Sequence, residues 1–182
     1  YLAKRTKFND LVSSGRQAIA KGDWGKALTD LNLASQLEPK DAQVAKLLAE
    51  AKRGDDRGLA EAEYDDAISS ETLGDSARAL AQMRKAVSLA PDNAAYSHRL
   101  ARMLMQSDKL EALKEAHLLA RRATELAPEN AEYHLTFAAI LVRAGLEKNA
   151  IRVYEQALKL RPDDPVAKDQ MRRLKVKTTI IS

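Results

Sequence analysis

The side chains in this sequence that could do chemistry are three histidines, several adjacent acidic pairs and a generous supply of arginine. Histidine could shuttle a proton or hold a metal. His98, His117 and His134, however, are scattered along the chain with no metal-ligand spacing. Two facing carboxylates could act as acid and base. Asp55/Asp56, Asp65/Asp66 and Asp163/Asp164 are neighbours in sequence, so each pair diverges around a helix or caps one. The chain has no cysteine, which excludes disulfides, thiolate metal sites and cysteine nucleophiles. Glycine-rich phosphate loops and the HExxH and GxSxG patterns are missing. We therefore expect no enzyme, no cofactor and no metal. Recognition remains: guanidinium groups that fork onto carboxylates, wherever the fold sets them in a row.

The 182 residues suit one domain or one short repeat array. Only 4% are aromatic and alanine abounds, which favours closely packed helices over a β-sandwich. Lys+Arg exceed Asp+Glu by 30 − 26 = 4, with the signs interspersed, so no nucleic-acid partner is expected. No apolar run approaches the roughly 20 residues of a membrane helix, and no signal peptide is visible. The chain begins at Tyr1, which reads as a piece of something longer. A cytoplasmic setting fits the absence of cysteine, with the periplasm left open.

Internal periodicity organises the rest. Pro39, Pro91, Pro128 and Pro162 are each preceded, twelve residues earlier, by an alanine: Ala27, Ala79, Ala116 and Ala150. Four residues after these come Leu31, Met83, Ala120 and Tyr154, and seven after come Ala34, Ala86, Ala123 and Ala157. Leu37, Leu89, Leu126 and Leu160 stand ten after. Steps of four, three and three put these side chains on one helix face. The prolines end those helices, and Gly22-Asp23, Gly74-Asp75 and Gly145-Leu146 read as turns before three of them, with Asp23 and Asp75 as N-caps.

Each unit is thus helix, turn, helix, proline-marked turn. This resembles the tetratricopeptide repeat, with W-x2-L-G-x2-Y, then A-x3-F, then P, over about 34 residues. Leu11, Ser14, Gly15 and Ala18 meet the first half loosely. So do Ser97, Leu100, Ala101 and Leu104, and His134, Phe137, Ala138 and Leu141. Glu63, Asp66, Ala67 and Ser70 fail it. The resemblance implies an all-α superhelix, an α-α solenoid spanning 1–177, with repeats near 8–41, 60–93, 94–130 and 131–164. Residues 165–177 read as a capping helix, and 178–182 as a tail carrying no instruction.

The proline intervals are 52, 37 and 34 residues. Three extra residues of the middle interval fall around Ser107–Leu113. The eighteen extra in the first equal five turns, or about 27 Å of helix. They read either as one helix from about Asp41 to Thr72 or as a break at Gly54-Asp55-Asp56-Arg57-Gly58, and the continuous helix is preferred.

In repeats of this kind the first helix of each unit lines a concave groove, mainly through its second, fifth, ninth and twelfth or thirteenth positions. The resemblance assigns Arg16, Ile68, Arg102 and Ala139 to the ninth position and Val12, Tyr64, His98 and Leu135 to the fifth. Arg143 falls at a thirteenth, and Arg173 extends the row into the capping helix. Two readings stand for the arginines: forks for an acidic or C-terminal peptide, or a solvated face among Glu61, Glu71 and Glu132. Tyr64 and Ile68 lie where the stripe fails, so the apolar face there reads as rotated toward a neighbouring helix, a second copy or a ligand. His134 reads as packing and Trp24 as partly buried. Lys168, Arg172, Arg173, Lys175 and Lys177 form a basic end for which the helix dipole suffices, the rival reading being an anionic surface or nucleic acid.

HLLARRATELAPENAEYHLTFAAILVRAGLEKNAIRVYEQALKLRPDDP, with the long helix after the first repeat, further resembles repeat segments that follow a J domain in some bacterial J-domain proteins. The expected function is a protein-interaction module or scaffold, chaperone-associated and bacterial. The alternatives are a homodimer seam on the long helix, and a factor for envelope or pilus assembly.

Overall fold

The structure is a computed structural model that describes residues 2–180. Among these residues it is helical with no strand: α1 (Leu2–Ala20), α2 (Trp24–Leu37), α3 (Ala42–Thr72), α4 (Ser76–Leu89), α5 (Ala94–Leu104), α6 (Leu110–Leu126), α7 (Ala131–Arg143), α8 (Glu147–Leu160) and α9 (Pro165–Ile180). Its contacts divide into two compact units, residues 1–62 and 63–182, and α3 contributes to both. The backbone of 178–180 belongs to α9, and residues 181 and 182, the end of the expected tail, lie outside the described residues.

The proline rule works through the residue before it. Glu38, Ala90, Ala127 and Arg161 hold φ between −126° and −137° with ψ of 70–81°, outside the helical well that a following proline disfavours. Each still donates its N–H to the carbonyl four residues back, from Ala34, Ala86, Ala123 and Ala157 respectively. At the tighter turns Gly22, Gly74 and Gly145 take φ of 71–81°, a region that only glycine enters freely. The next N–H reaches back to Ala18, Ser70 and Leu141, each at 2.9 Å, the six-to-one bond of a Schellman stop. Asp23 and Asp75 then cap α2 and α4, accepting from the N–H of Lys26 and Arg78.

In the first unit, α2 buries Ala27, Leu31 and Ala34. Gly15 of α1 lies so close to α2 that an added Cβ would stand 2.6 Å from Leu31 Cγ. The α3 helix passes Gly54 and Gly58 without a break. Two glycines cost a helix roughly 2 kcal/mol together, and Gly54 has a packing reason: Trp24, half-buried, lies on it, and a Cβ there would be 2.5 Å from the indole. The same vector at Gly58 meets nothing within 4 Å.

In the second unit one cluster joins Ala67, Met83, Ala86, Leu100, Leu104, Ala120 and Ile140. Another joins Ala138, Leu141, Ala150, Tyr154, Ala167 and Leu174, which packs α9 onto α7 and α8. The failed motif of α3 keeps its packing face: Ala67 and Ser70 are buried. Ser70 donates to Gln82 Oε1 of α4 at 2.7 Å, and Glu63 pairs with Lys85. The apolar face is therefore not rotated; polar bonds to α4 replace part of the apolar seam.

Candidate functional site

The second unit brings its first helices side by side, and their contacts are aromatic. Asn93 and Asn130 follow the proline turns as N-caps, accepting from the N–H of Tyr96 and Glu132. That fixes where α5 and α7 start, and so sets Tyr96 and Tyr133 at the third residue of each. Tyr96 stacks on Tyr64 of α3, with centroids 4.9 Å apart and planes 23° from parallel. Tyr133 lies against His98 of α5 at 4.5 Å. All three tyrosines are half-buried.

His98 is only 7% exposed, and its Nε2 lies 2.8 Å from Thr136 Oγ1 of α7. Burial is the main force lowering its pKa below 6.5. Arg102 and Arg99 act the same way, and Glu132 opposes them. His98 is thus a neutral wall behind Tyr133, not an open groove contact as its fifth position implied. The Tyr133 hydroxyl is held above the ordinary phenol range, first by burial, then by Glu132 and by Tyr64. Rings from α3, α5 and α7 thus converge on one face.

Ion pairs lace the same helices. Arg99 of α5 pairs with Glu71 of α3, and Arg102 of α5 reaches Glu132 of α7 at 3.6 Å. The latter pair is about half exposed on both sides, and such pairs are worth roughly 0–1 kcal/mol. A ligand carboxylate could take Arg102 from Glu132 at little cost.

The expected row of site residues is thus partly assembled. Tyr64, His98 and Arg102 come together, with Ile68 and Leu135 half-buried on α3 and α7. Leu135 leans on the α7–α9 cluster. Arg143 points elsewhere, its guanidinium 3.3 Å from Asp108 and 3.4 Å from the Ser107 carbonyl at the turn before α6. Arg173 is bound within α9 to Asp169 at 2.8 Å. Arg16 is exposed in the first unit, one turn from buried Val12. The basic end is neutralised locally: Lys168 pairs with Asp163, Arg172 with Asp169, Lys175 with Glu155 and Lys177 with Glu147. His134 is buried, its Nε2 2.8 Å from the Pro128 carbonyl.

Tyr96, Tyr133 and Thr136 were not singled out from sequence. The signal was there: Pro91-Asp92-Asn93-Ala94-Ala95-Tyr96 and Pro128-Glu129-Asn130-Ala131-Glu132-Tyr133 share proline, asparagine cap, alanine and tyrosine at one spacing. Among the described residues no group of three or more His, Asp or Glu side chains is placed to hold a metal. No described helix is long and apolar enough to cross a membrane.

Residues 67–93 and 131–164 match the tetratricopeptide repeat family model. No curated protein matches the chain in sequence. Among solved structures the chain is similar to MamA, with a TM-score of 0.61 at 16% identity over 91% of this chain and 84% of that one. It is also similar to the first TPR of Spaghetti (RPAP3) bound to HSP90 peptide SRMEEVD, with a TM-score of 0.61 at 16% identity over 68% and 95%. The Arabidopsis OM64 TPR domain gives 0.59 at 19% identity, over 67% and 98%. The chain therefore carries tetratricopeptide repeats in an all-helical repeat fold.

Proposed function

We propose that this chain is a protein-interaction module that holds a partner polypeptide against the tyrosine-lined face of α3, α5 and α7. The observation that carries it is the convergence of Tyr64, Tyr96 and Tyr133, from three first helices, half-exposed beside Arg102. Tyrosine offers large, rigid contact area at low entropic cost. An extended segment would lay apolar side chains on the rings while a carboxylate displaces Glu132 from Arg102. The fold supports this reading, since a similar repeat domain is bound to the peptide SRMEEVD.

The setting we propose, on the sequence resemblance to J-domain-linked repeats alone, is a larger bacterial, cytoplasmic protein in which the repeats gather clients.

Photo-crosslinking tests the proposal. A photoreactive residue at Ile68 or Leu135 captures discrete polypeptides from cell extract, and Tyr133→Ala reduces the yield. An unchanged pattern in Tyr133→Ala would sink the reading.

A further inference from the structure

A second surface of the same unit carries a different kind of contact. Counted back from its proline, α6 starts three residues earlier than α2, α4 and α8, and it has 17 residues where each of those has 14. The extra turn brings Leu110, which is 64% exposed. Two turns on, Leu118 is 65% exposed, at a position where the other second helices place Thr29, Ala81 and Arg152. With Leu113 and with Leu146 from the turn between α7 and α8, these leucines line an open groove of about 480 Å³. Packing of the unit does not account for two leucines left two-thirds in water, and exposed apolar surface of this kind marks interaction sites.

Charge identifies the occupant. The ionisable side chains lining the groove are Lys114, Arg143 and His117, with no carboxylate among the lining residues. Lys114 pairs with Glu111, and Arg143 with Asp108 and the Ser107 carbonyl; the Glu111 and Asp108 side chains are 82% and 102% exposed. From Leu110 to Leu118 the groove follows α6 for about 12 Å, or two helical turns. That length suits leucine-type anchors one turn apart on a bound helix. We propose that this groove docks an acidic-flanked amphipathic helix of a partner protein. Its apolar stripe lies on Leu110, Leu113, Leu118 and Leu146, and its carboxylates take Lys114 and Arg143. The tyrosine face plays no part, since none of its rings lines the groove.

The test uses two labelled amphipathic helices with the same leucine stripe, one flanked by glutamate and one by lysine, read by fluorescence anisotropy against the full chain. The glutamate probe binds about tenfold or more tightly than the lysine probe, as oppositely charged rims discriminate. Leu118→Glu, at an exposed position, weakens the glutamate probe by about tenfold or more. Lys114→Glu combined with Arg143→Glu reverses the preference. Tyr133→Ala leaves probe binding intact, so failure here and failure of the tyrosine face are told apart. Equal binding of the two probes, indifference to Leu118→Glu, or loss in Tyr133→Ala overturns the proposal. So does self-association of the chain that Leu118→Glu abolishes, because a second copy would then be the occupant.

Discussion

The two compact units use one repeat architecture but bring helices together by opposite means. In residues 1–62 the close contacts are made by removing side chains: Gly15 admits Leu31, and Gly54 admits Trp24. In residues 63–182 the first helices are held apart by rings, Tyr64 on Tyr96 and Tyr133 on His98. The seat at Gly54 borders a groove of about 640 Å³ lined by charged side chains such as Glu50, Arg53 and Arg57, whereas the half-buried rings of the second unit present aromatic surface. The difference teaches that one repeat architecture can close its helix contacts either by deleting side chains or by stacking rings, and the proposed recognition face rests on the second kind.

The largest effect should fall on the glycine seats. Leu31→Ala costs about 2–5 kcal/mol in chemical denaturation, because Leu31 is fully buried. Gly15→Ala in the intact chain is destabilising, since its Cβ would meet Leu31 at 2.6 Å. Combined with Leu31→Ala the same change becomes neutral or favourable, a coupling that a double-mutant cycle reads directly. Additive effects would break the glycine half of the comparison.

The pair Gly54 and Gly58 sharpens it. Gly54→Ala destabilises by about 1–3 kcal/mol through overpacking on Trp24, despite alanine's better helix propensity. Gly58→Ala, one turn on in the same helix and facing open space, stabilises by up to about 1 kcal/mol. Equal responses at the two positions would show that Trp24 is not seated on Gly54.

The tyrosine face should respond more weakly in stability than in binding. Tyr133→Ala forfeits a ring pair worth about 0.5–1.5 kcal/mol beyond area burial. It removes partner capture far out of proportion to that loss. His98 adds a pH signature. Its folded pKa lies below 6.5, so the folded state binds fewer protons than the unfolded chain. Its contribution is whole above about pH 6.5 and is lost as pH falls through the lowered value. In His98→Asn that part of the acid-side loss in denaturation midpoint disappears.

Much of the fold was legible because its rules are local. Ala27, Leu31, Ala34 and their equivalents, Tyr154 included, are buried as their spacing demands. The three glycine turns and the four proline stops follow from backbone sterics alone. The leucine that closes each stripe was less well read: Leu37 and Leu89 are half-buried, and Leu126 and Leu160 are 40% and 37% exposed, near the helix end. Whether α3 passed Gly54 could not be settled locally, because the reason lies thirty residues earlier at Trp24. The arginine row was the least legible part. Position in a repeat says which way a Cα faces, but not that Arg143 will turn to Asp108 or Arg173 to Asp169. Long side chains choose partners across turns, and a repeat pattern does not encode those.

The central claim is that the tyrosine face of the second unit holds a partner polypeptide. Affinity capture from cell extract, comparing the native chain with Tyr64→Ala/Tyr133→Ala, tests it most directly. Circular dichroism of both proteins serves as the check that the variant remains folded. The account predicts discrete polypeptides retained by the native chain and lost by the folded double variant. Retention of the same polypeptides by both would contradict it.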